Sequence, residues 1–524
     1  MRANTLRLWC WKVVVALTSL AFYPAPRLFA QELSTASSST STDQPTGFVA
    51  STGPSPSYPA PAPSPGRLGP GSQATQGLNL KAYKLLRYDE DYSYLKDPRK
   101  RTDPMDFLKY IPLGERDDYY LSLGGQARPR FESFHNPDFG GGPANRQGYN
   151  NDLVQRYMLH GDLHLGPNVR FFGQLQSGFE SGLVGGPRPD VDLDRFDAHQ
   201  AFLDIVWRWS EDESNSLTLR PGRQEMSYGS ARLIDVREGA NLRRSFDAAR
   251  MLLKVGDWQV DGFWSKPVRN RPGVFDNDPD PNLSLWGIYA VHPLAMLPSG
   301  HVDLYYLGYE NKQAVFDQGK GYELRHSLGT RIWGAPMPWE YNLEYVWQFG
   351  RFGSGSIEAW TASHAVRYNF EERPLRPRFG VRFDIASGDR NRDSPNLQTF
   401  NPLFPSGAYF NLANPIGPQN IIDLHPVLDL NFGKTVTLTG DWNFFWRESL
   451  EDGIYSLAGV PIRPGTPSRS RFIGSTPSLT SSWKVSRHVT VLASYVHFFT
   501  GSYLQDNPPA KNTDYVTVWI DYMF

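Results

Sequence analysis

The last ten residues, Tyr515 to Phe524, read YVTVWIDYMF and alternate in polarity. Successive side chains of a β-strand point to opposite faces, so one face of this segment suits lipid and the other, with Thr517, Trp519 and Asp521, suits water. The segment predicts a terminal strand that closes a transmembrane barrel, with the last strand of a soluble sheet as the alternative. The residues that we expect to face lipid are Val516, Val518, Ile520 and Tyr522.

The same alternation recurs in short segments from Tyr119 to the end of the chain. We expect about eighteen strands, an even number, as in single-chain bacterial barrels. The expected strands span 119–134, 152–165, 169–180, 197–209, 216–224, 246–255, 258–265, 282–291, 300–310, 322–333, 338–349, 357–370, 374–385, 421–432, 435–446, 471–483, 487–498 and 514–524.

The links between these strands alternate in length. Links after even-numbered strands are short, such as 256–257 and 433–434, whereas most links after odd-numbered strands are long, such as 225–245 and 386–420. Short periplasmic turns and long extracellular loops are typical of outer-membrane barrels, and a soluble sandwich or propeller has no reason to sort its loops this way. The sequence therefore predicts an all-β chain that forms a transmembrane antiparallel β-barrel in the bacterial outer membrane.

The chain ahead of the barrel divides by composition. Residues 1–30 combine basic residues, a short apolar run and small residues, which predicts a signal peptide. Residues 31–80 are rich in Ser, Thr and Pro and predict a disordered linker. Residues 81–118 are charged and aromatic without a two-residue period, and we expect a periplasmic lead-in at the barrel mouth. The barrel itself takes residues 119–524.

Composition excludes several classes of protein. Cys10, the only cysteine, lies in the predicted leader, so we expect no disulfide or thiol chemistry in the mature chain. Net charge is -1, and removing a leader that has basic but no acidic residues makes it more negative, which argues against nucleic-acid binding. After the leader, no apolar run is long enough for a helical membrane span.

Within the predicted strands, the charged side chains stand at alternate positions, which place them on the inward face. A charge on the lipid face costs about 2–4 kcal/mol near the membrane midplane, so this agreement supports the register. Arginines dominate the inward positions before residue 385, and aspartates dominate those after 420, which suggests a basic wall that faces an acidic one. These arginines either brace the walls through ion pairs or form an anion pathway.

The stretch 217–266 resembles the central region of the bacterial alginate-export outer-membrane porin family. Residues 220–224 match the Arg-x-Gly-Arg-Gln end of a family strand, and 241–247 match its Asn-Leu-Arg-Arg-Ser-Phe-Asp loop. A second block, 383–410, is similar to a long extracellular loop of the same family. The resemblance covers 81–524 in blocks.

The resemblance implies an eighteen-stranded barrel with an arginine-rich constriction, through which an acidic polysaccharide leaves the cell. Guanidinium groups suit this role because they bind carboxylates in a bidentate fork. We therefore expect a channel for anionic solutes, most of all an alginate-like polysaccharide, with a general or sugar/anion uptake porin as the alternative. The candidate pore-lining residues are Arg128, Arg130, Arg156, Arg220, Arg223, Arg243, Arg244, Arg250, Arg325 and Arg382.

The expected partners are outer-membrane lipid, the anionic solute and the barrel assembly machinery. The last of these follows because the final Phe524 resembles the C-terminal signal of outer-membrane proteins. Periplasmic secretion partners are left open. Iron-complex receptors are disfavoured, since the lead-in is too short for a folded plug domain.

We expect neither an enzyme nor a cofactor or metal. The pairs His199 with Ser227 and His364 with Ser363 lack a recognisable oxyanion motif or orienting carboxylate, so no catalytic residue is proposed. The acidic run 276–280, DNDPD, offers clustered oxygens for calcium but lacks the glycine and terminal glutamate of an EF-hand, which favours a solvated loop.

Overall fold

The structure is a computed structural model that describes residues 83–142, 144–210 and 214–524. The predicted signal peptide over 1–30 and the predicted linker over 31–80 lie outside these residues. Within the described ranges, no helix is both long and apolar enough to cross a lipid bilayer.

Eighteen antiparallel strands, β1 to β18, form one closed barrel. Each strand pairs with the next in chain order, and β18 pairs back onto β1, so that Gln126 lies opposite Met523 and His135 opposite Asp514. The predicted fold class is confirmed. The first nine strands are β1 Tyr119–His135, β2 Tyr149–Leu165, β3 Val169–Ser181, β4 Asp194–Arg208, β5 Ser216–Gln224, β6 Phe246–Val255, β7 Trp258–Arg269, β8 Leu283–Pro293 and β9 Gly300–Phe316. The other nine are β10 Gly319–Gly334, β11 Trp339–Phe352, β12 Gly355–Asn369, β13 Arg378–Ala386, β14 Ile421–Phe432, β15 Val436–Trp446, β16 Phe472–Lys484, β17 Val489–Thr500 and β18 Thr513–Met523.

The connections sort by length between the two ends of the barrel. At one end, which we call the turn end, strands join through short links such as 256–257 and 433–435. At the other, the loop end, most links are long and include 225–245 and 387–420. The predicted alternation of short and long links is confirmed.

Two links at the loop end are much shorter than predicted. Only 317–318 separates β9 from β10, and only 353–354 separates β11 from β12. The strand predicted over 300–310 ended too early because the polar run 311–313 reads as a loop. In the structure it is a bulge, and strand pairing resumes at Ala314 and continues to the turn.

The inward and outward faces follow the predicted parity. On β13, Arg382 and Asp384 are buried, whereas Phe379 and Val381 are exposed on the outer surface. On β18, Trp519 lies inside, with its ring 5.0 Å from the Arg128 guanidinium. The outer surface is therefore an apolar band suited to lipid, and the charges face inward.

Two long loops fold into the barrel interior. The first inward loop, 225–245, and the second inward loop, 387–420, pair with each other: the Phe404 N–H donates to the Leu233 carbonyl at 2.8 Å, and the Asp235 N–H donates to the Phe404 carbonyl at 2.9 Å. Buried aromatic side chains surround this junction. The interior is consequently filled in part by loop residues, and not only by side chains of the walls.

The lead-in packs against the turn end of the barrel. Tyr88 is buried with Phe172 of β3 and Phe202 of β4, and Val236 of the first inward loop joins the same cluster. The lead-in therefore touches both the wall and an inward loop. Its elements are the 3-10 turns Arg87–Asp89, Ser93–Lys96 and Pro98–Lys100, the helical turn Asp106–Lys109 and the short strand Ile111–Pro112. The remaining short elements are the 3-10 turns Pro137–Gly140 and Ala144–Arg146, the strands Asp278–Pro279, Ile454–Tyr455 and Pro461–Arg463, and the helix Ser502–Asp506.

Candidate functional site

A single carboxylate of the first inward loop lies among three arginines. Oε1 of Glu238 is 2.8 Å from Nη2 of Arg156 and 3.5 Å from Nη1 of Arg128, and Oε2 is 3.1 Å from Nη1 of Arg243. Arg128 and Arg156 are direct register partners on β1 and β2. Like charges placed opposite each other destabilise a sheet, so this pair needs a nearby anion. We call the three arginines the Glu238 cage.

Backbone carbonyls of the same loop complete the contacts of the wall arginines. Nη1 of Arg128 donates to the Glu238 carbonyl at 2.9 Å, and Arg128 also donates to the Ala240 carbonyl. Nη1 of Arg130 donates to the Gly239 carbonyl at 2.5 Å. The walls therefore offer hydrogen-bond donors along one extended stretch of the loop.

The other predicted arginines near this loop bind carboxylates. Nη2 of Arg130 is 3.2 Å from Glu132, which also receives an ion pair from Arg188 of the 182–193 loop at 2.9 Å. Nε of Arg243 is 2.6 Å from Oε1 of Glu225. Glu225 in turn contacts Nε2 of His199 at 2.8 Å. These contacts fix the base of the first inward loop to the wall.

Arg220 and Arg250 are also register partners, on β5 and β6. Asp204 of β4 accepts two bonds from Arg220, at 2.6 and 2.8 Å, and Asp261 of β7 accepts from Arg250. Each of these arginines thus has a carboxylate from its own neighbouring strand. Bidentate pairs of this kind brace a barrel wall.

The predicted arginines nearer the loop end are paired as well. Arg223 binds Asp247 at 2.7 Å. Arg325 binds Glu323 at 2.5 Å. Nε of Arg382 is 2.8 Å from Asp384.

Arg244 alone among the predicted arginines has no carboxylate within ion-pair distance in the part of the chain that the structure describes. Its Nη1 donates to the carbonyls of Asp235 and Pro405, at 3.3 and 3.4 Å. Its guanidinium lies 5.1 Å from the Phe404 ring centroid. Arg244 therefore links the two inward loops through backbone carbonyls of each.

The suggested opposition of a basic and an acidic wall is weaker than predicted. Asp423 and Asp441 are inward-facing as expected, and Asp423 lies 3.6 Å from Arg382. However, the basic half supplies its own acids, such as Asp204 and Asp261, to its arginines. Parity assigned each charge to a face but could not show which arginines pair with acids of their own half.

A cavity of about 540 Å³ lies at the turn end, between the lead-in and the walls. Tyr88 of the lead-in and Tyr228 of the first inward loop line it together with Arg220, Arg250 and Asp261. Tyr228 donates from its hydroxyl to Asp261 at 2.7 Å. The cavity reaches from the turn end to the first inward loop, and its lining combines charged and aromatic side chains.

The residue pairs weighed for catalysis or metal binding have other partners. Ser227 donates to Asp235 at 2.8 Å, and the His364 ring bonds to the Tyr345 hydroxyl at 2.6 Å. In the acidic run, Asp278 forms ion pairs with Arg269 and Arg271. Within the described ranges, no group of three or more His, Cys, Asp or Glu side chains is arranged to hold a metal.

Sequence reasoning missed Glu238 and Tyr88. Glu238 stands beside an arginine-rich run, but nothing in a loop sequence shows that the loop folds inward. Tyr88 lies within the aromatic lead-in, whose lack of a two-residue period was the available signal that it does not form a wall strand.

Comparison with known proteins identifies the kind of barrel. A family model described as "Alginate export" matches residues 119–518. No curated protein sequence matches the chain. Among solved structures, the fold is similar to a BenF-like porin from Pseudomonas fluorescens Pf-5, with a TM-score of 0.52, 11% identity, and coverage of 77% of this chain and 98% of that one.

Two further porins show the same fold. Acinetobacter baumannii OccAB2 has a TM-score of 0.51 and 9% identity, over 77% of this chain and 98% of that one. Pseudomonas aeruginosa OpdQ has a TM-score of 0.50 and 12% identity, over 79% of this chain and 99% of that one. At these identities the similarity establishes the barrel architecture.

Proposed function

The chain belongs to the alginate export family and forms a channel barrel of the bacterial outer membrane, and from this premise we propose that its lumen passes anionic solutes and chiefly exports an acidic, alginate-like polysaccharide. The observation that carries this proposal is the Glu238 cage. Three guanidinium groups there bind a carboxylate, the group that each uronate residue of such a polymer carries.

We assign the turn end to the periplasm and the loop end to the cell exterior. Short turns face the periplasm in outer-membrane barrels, and this also places the lead-in, 83–118, on the periplasmic side. A solute from the periplasm then meets the 540 Å³ cavity first and the two inward loops next. A tag inserted at the exposed Asp393 tests the orientation, because it should be labelled on intact cells. Labelling only after permeabilisation would reverse the assignment.

The barrel assembly machinery is proposed as a partner through Phe524. The terminal residue lies at the seam that closes the barrel: its N–H donates to the Gly125 carbonyl at 3.1 Å, and the Gly125 N–H donates to its carbonyl at 3.0 Å. Deleting Phe524 should reduce the heat-modifiable barrel in the outer membrane while export to the periplasm continues. Unchanged assembly would remove this partner.

Single-channel recording of the purified protein in a salt gradient tests the proposed solute. We expect a reversal potential that indicates a preference for anions, and a block by hexuronate oligomers that weakens as salt screens the arginines, since the Debye length is about 10 Å at 0.1 M. A preference for cations together with no block would refute the proposal.

The alternative is a general or sugar/anion uptake porin. The ion pairs within the walls favour it, because Asp204 and Asp261 neutralise Arg220 and Arg250 beside the cavity. Block by neutral oligosaccharides, with little charge selectivity, would support this alternative over anion export.

A further inference from the structure

We infer that Glu238 is a built-in pseudo-ligand, whose carboxylate occupies the place that a uronate carboxylate of the passing polymer takes in turn. The inference rests on the proposed function and adds to it a particular site and a competitor within the chain. A passing acidic sugar would exchange with Glu238 among Arg128, Arg156 and Arg243. In the empty channel the three arginines would be paired with Glu238, and in the occupied channel they would be paired with the solute.

The first argument is the balance of charge in the cage. The side chains of Arg128, Arg156 and Arg243 are 1%, 0% and 5% exposed, whereas that of Glu238 is 14% exposed. Leaving buried charges without a counter-ion is strongly unfavourable, so an anion is needed whenever the channel is empty. Glu238 supplies it and is the most accessible member of the group.

The second argument is the form of the loop segment that follows. From Glu238 to Asn241 the loop presents one carboxylate and successive carbonyl oxygens, all of them acceptors, to donors of Arg128, Arg130 and Arg156. An acidic sugar chain likewise presents a carboxylate followed by hydroxyl and ring oxygens. The segment therefore occupies a row of donors that suits such a chain.

The third argument is the contrast with the other ion pairs. Asp204 and Asp384 belong to wall strands, whose backbone cannot withdraw without breaking the barrel. Glu238 belongs to a loop and is shared by three arginines. Its side chain can rotate away, and the segment 238–241 can withdraw from the donors that it occupies, without breaking a wall strand. Exchange thus needs a movement of loop residues, and not of the barrel wall.

The test is Glu238→Gln, which keeps the size of the side chain and removes the competing charge. Isothermal titration of the purified barrel with a hexuronate trisaccharide should show affinity raised by roughly tenfold, as expected when a charge-assisted contact no longer competes. Anion preference in single-channel recording should also rise. Unchanged or weaker affinity of the variant, with clear binding to the unmodified barrel, would overturn the inference and leave the proposed function standing.

Glu225→Gln is the matched control. It removes one carboxylate from the same loop and the same Arg243, but Glu225 is also held by His199 and does not touch Arg128 or Arg156 in the described contacts. We expect a smaller gain in trisaccharide affinity than in Glu238→Gln, because only Arg243 loses a competing carboxylate. An equal gain in both variants would mean that general charge, and not the cage, sets the affinity, which would also overturn the inference.

Poor folding of Glu238→Gln is itself informative, because Arg128 and Arg156 would lack their anion. Adding the trisaccharide should then raise the thermal midpoint of the variant more than that of the unmodified barrel, since the sugar carboxylate replaces the missing one. If the trisaccharide binds the unmodified barrel but does not raise the thermal midpoint of the variant, the inference about Glu238 is wrong. No binding to either protein would refute the proposed function as well.

Discussion

The barrel contains two arginine pairs that face each other across neighbouring strands, and they are balanced differently. Arg220 and Arg250 each have a carboxylate from the wall, Asp204 and Asp261. Arg128 and Arg156 share Glu238, which comes from an inward loop. The same inward arginine pattern is therefore balanced by wall residues in one place and by a loop residue in the other. The difference depends on whether the counter-ion belongs to the wall.

The largest expected effect is on the braced pair. Replacing Arg220 and Arg250 with Gln removes the bidentate partner of Asp204 and of Asp261, and breaking a buried pair costs about 3–5 kcal/mol. Asp204 then keeps Arg170 at 3.6 Å, and Asp261 keeps the Tyr228 hydroxyl. We expect the free energy of unfolding to fall by about that amount per pair, measured by urea titration of the barrel in detergent micelles. Adding Asp204→Asn and Asp261→Asn should restore much of the loss. A change below about 1 kcal/mol would mean that water already screens the pairs.

The second prediction concerns Arg128 and Arg156, whose counter-ion comes from the first inward loop. Replacing Arg128 and Arg156 with Gln keeps donors for the loop carbonyls and leaves Arg243 as the remaining arginine of the cage. We expect oligouronate binding to weaken by roughly tenfold, since two charge-assisted contacts are lost, with a smaller change in stability than in the braced pair. Titration and reversal potentials measure the effect. Loss of stability without loss of binding would make both pairs braces.

The comparison also separates what sequence can predict from what it cannot. Strand parity placed Arg128, Arg156, Arg220 and Arg250 inside, because a charge on the lipid face is costly and the two-residue period is local. The counter-ions of these arginines are harder to predict. The same parity also places Asp204 inside, but Glu238 reaches Arg128 only because its loop folds inward against the second inward loop. Loop conformation depends on such distant contacts and has no period to read.

The third prediction concerns the lead-in, which touches both arginine regions. The Tyr88 hydroxyl donates to the Glu225 carbonyl at 2.8 Å, and the Arg220 guanidinium lies 4.5 Å from the Tyr88 ring centroid. Tyr88→Ala should release the lead-in, because truncating a buried aromatic costs about 3–5 kcal/mol. We expect faster proteolysis ahead of residue 113 and higher conductance. Tyr88→Phe, which keeps the ring, should stay close to the unmodified protein. Equal proteolysis of both variants would mean that the ring does not hold the lead-in.

The smallest expected effect is a pH dependence of lead-in docking through Lys109. Its Nζ donates to the Leu123 carbonyl of β1 at 2.9 Å, and burial together with the nearby Arg87 guanidinium lowers the pKa of Lys109 to about 7. The other groups that face Lys109 are Glu90, Asp106, His160, Arg487 and the rings of Tyr83, Tyr92 and Phe524.

Docking disfavours the charged form of Lys109, because the docked pKa lies below that of a free lysine, about 10.4. Docking should therefore be weakest below pH 7 and gain strength as pH rises from 7 toward 10.4. Hydrogen exchange of residues 106–110, corrected for intrinsic rates, should show less protection at pH 6 than at pH 8.5. Lys109→Met keeps most of the stem without the charge and should remove the difference. A difference in protection that persists in Lys109→Met would assign the pH dependence to a neighbouring group. Equal protection of the unmodified chain at both pH values would mean that the Lys109 ammonium is solvated in the docked state.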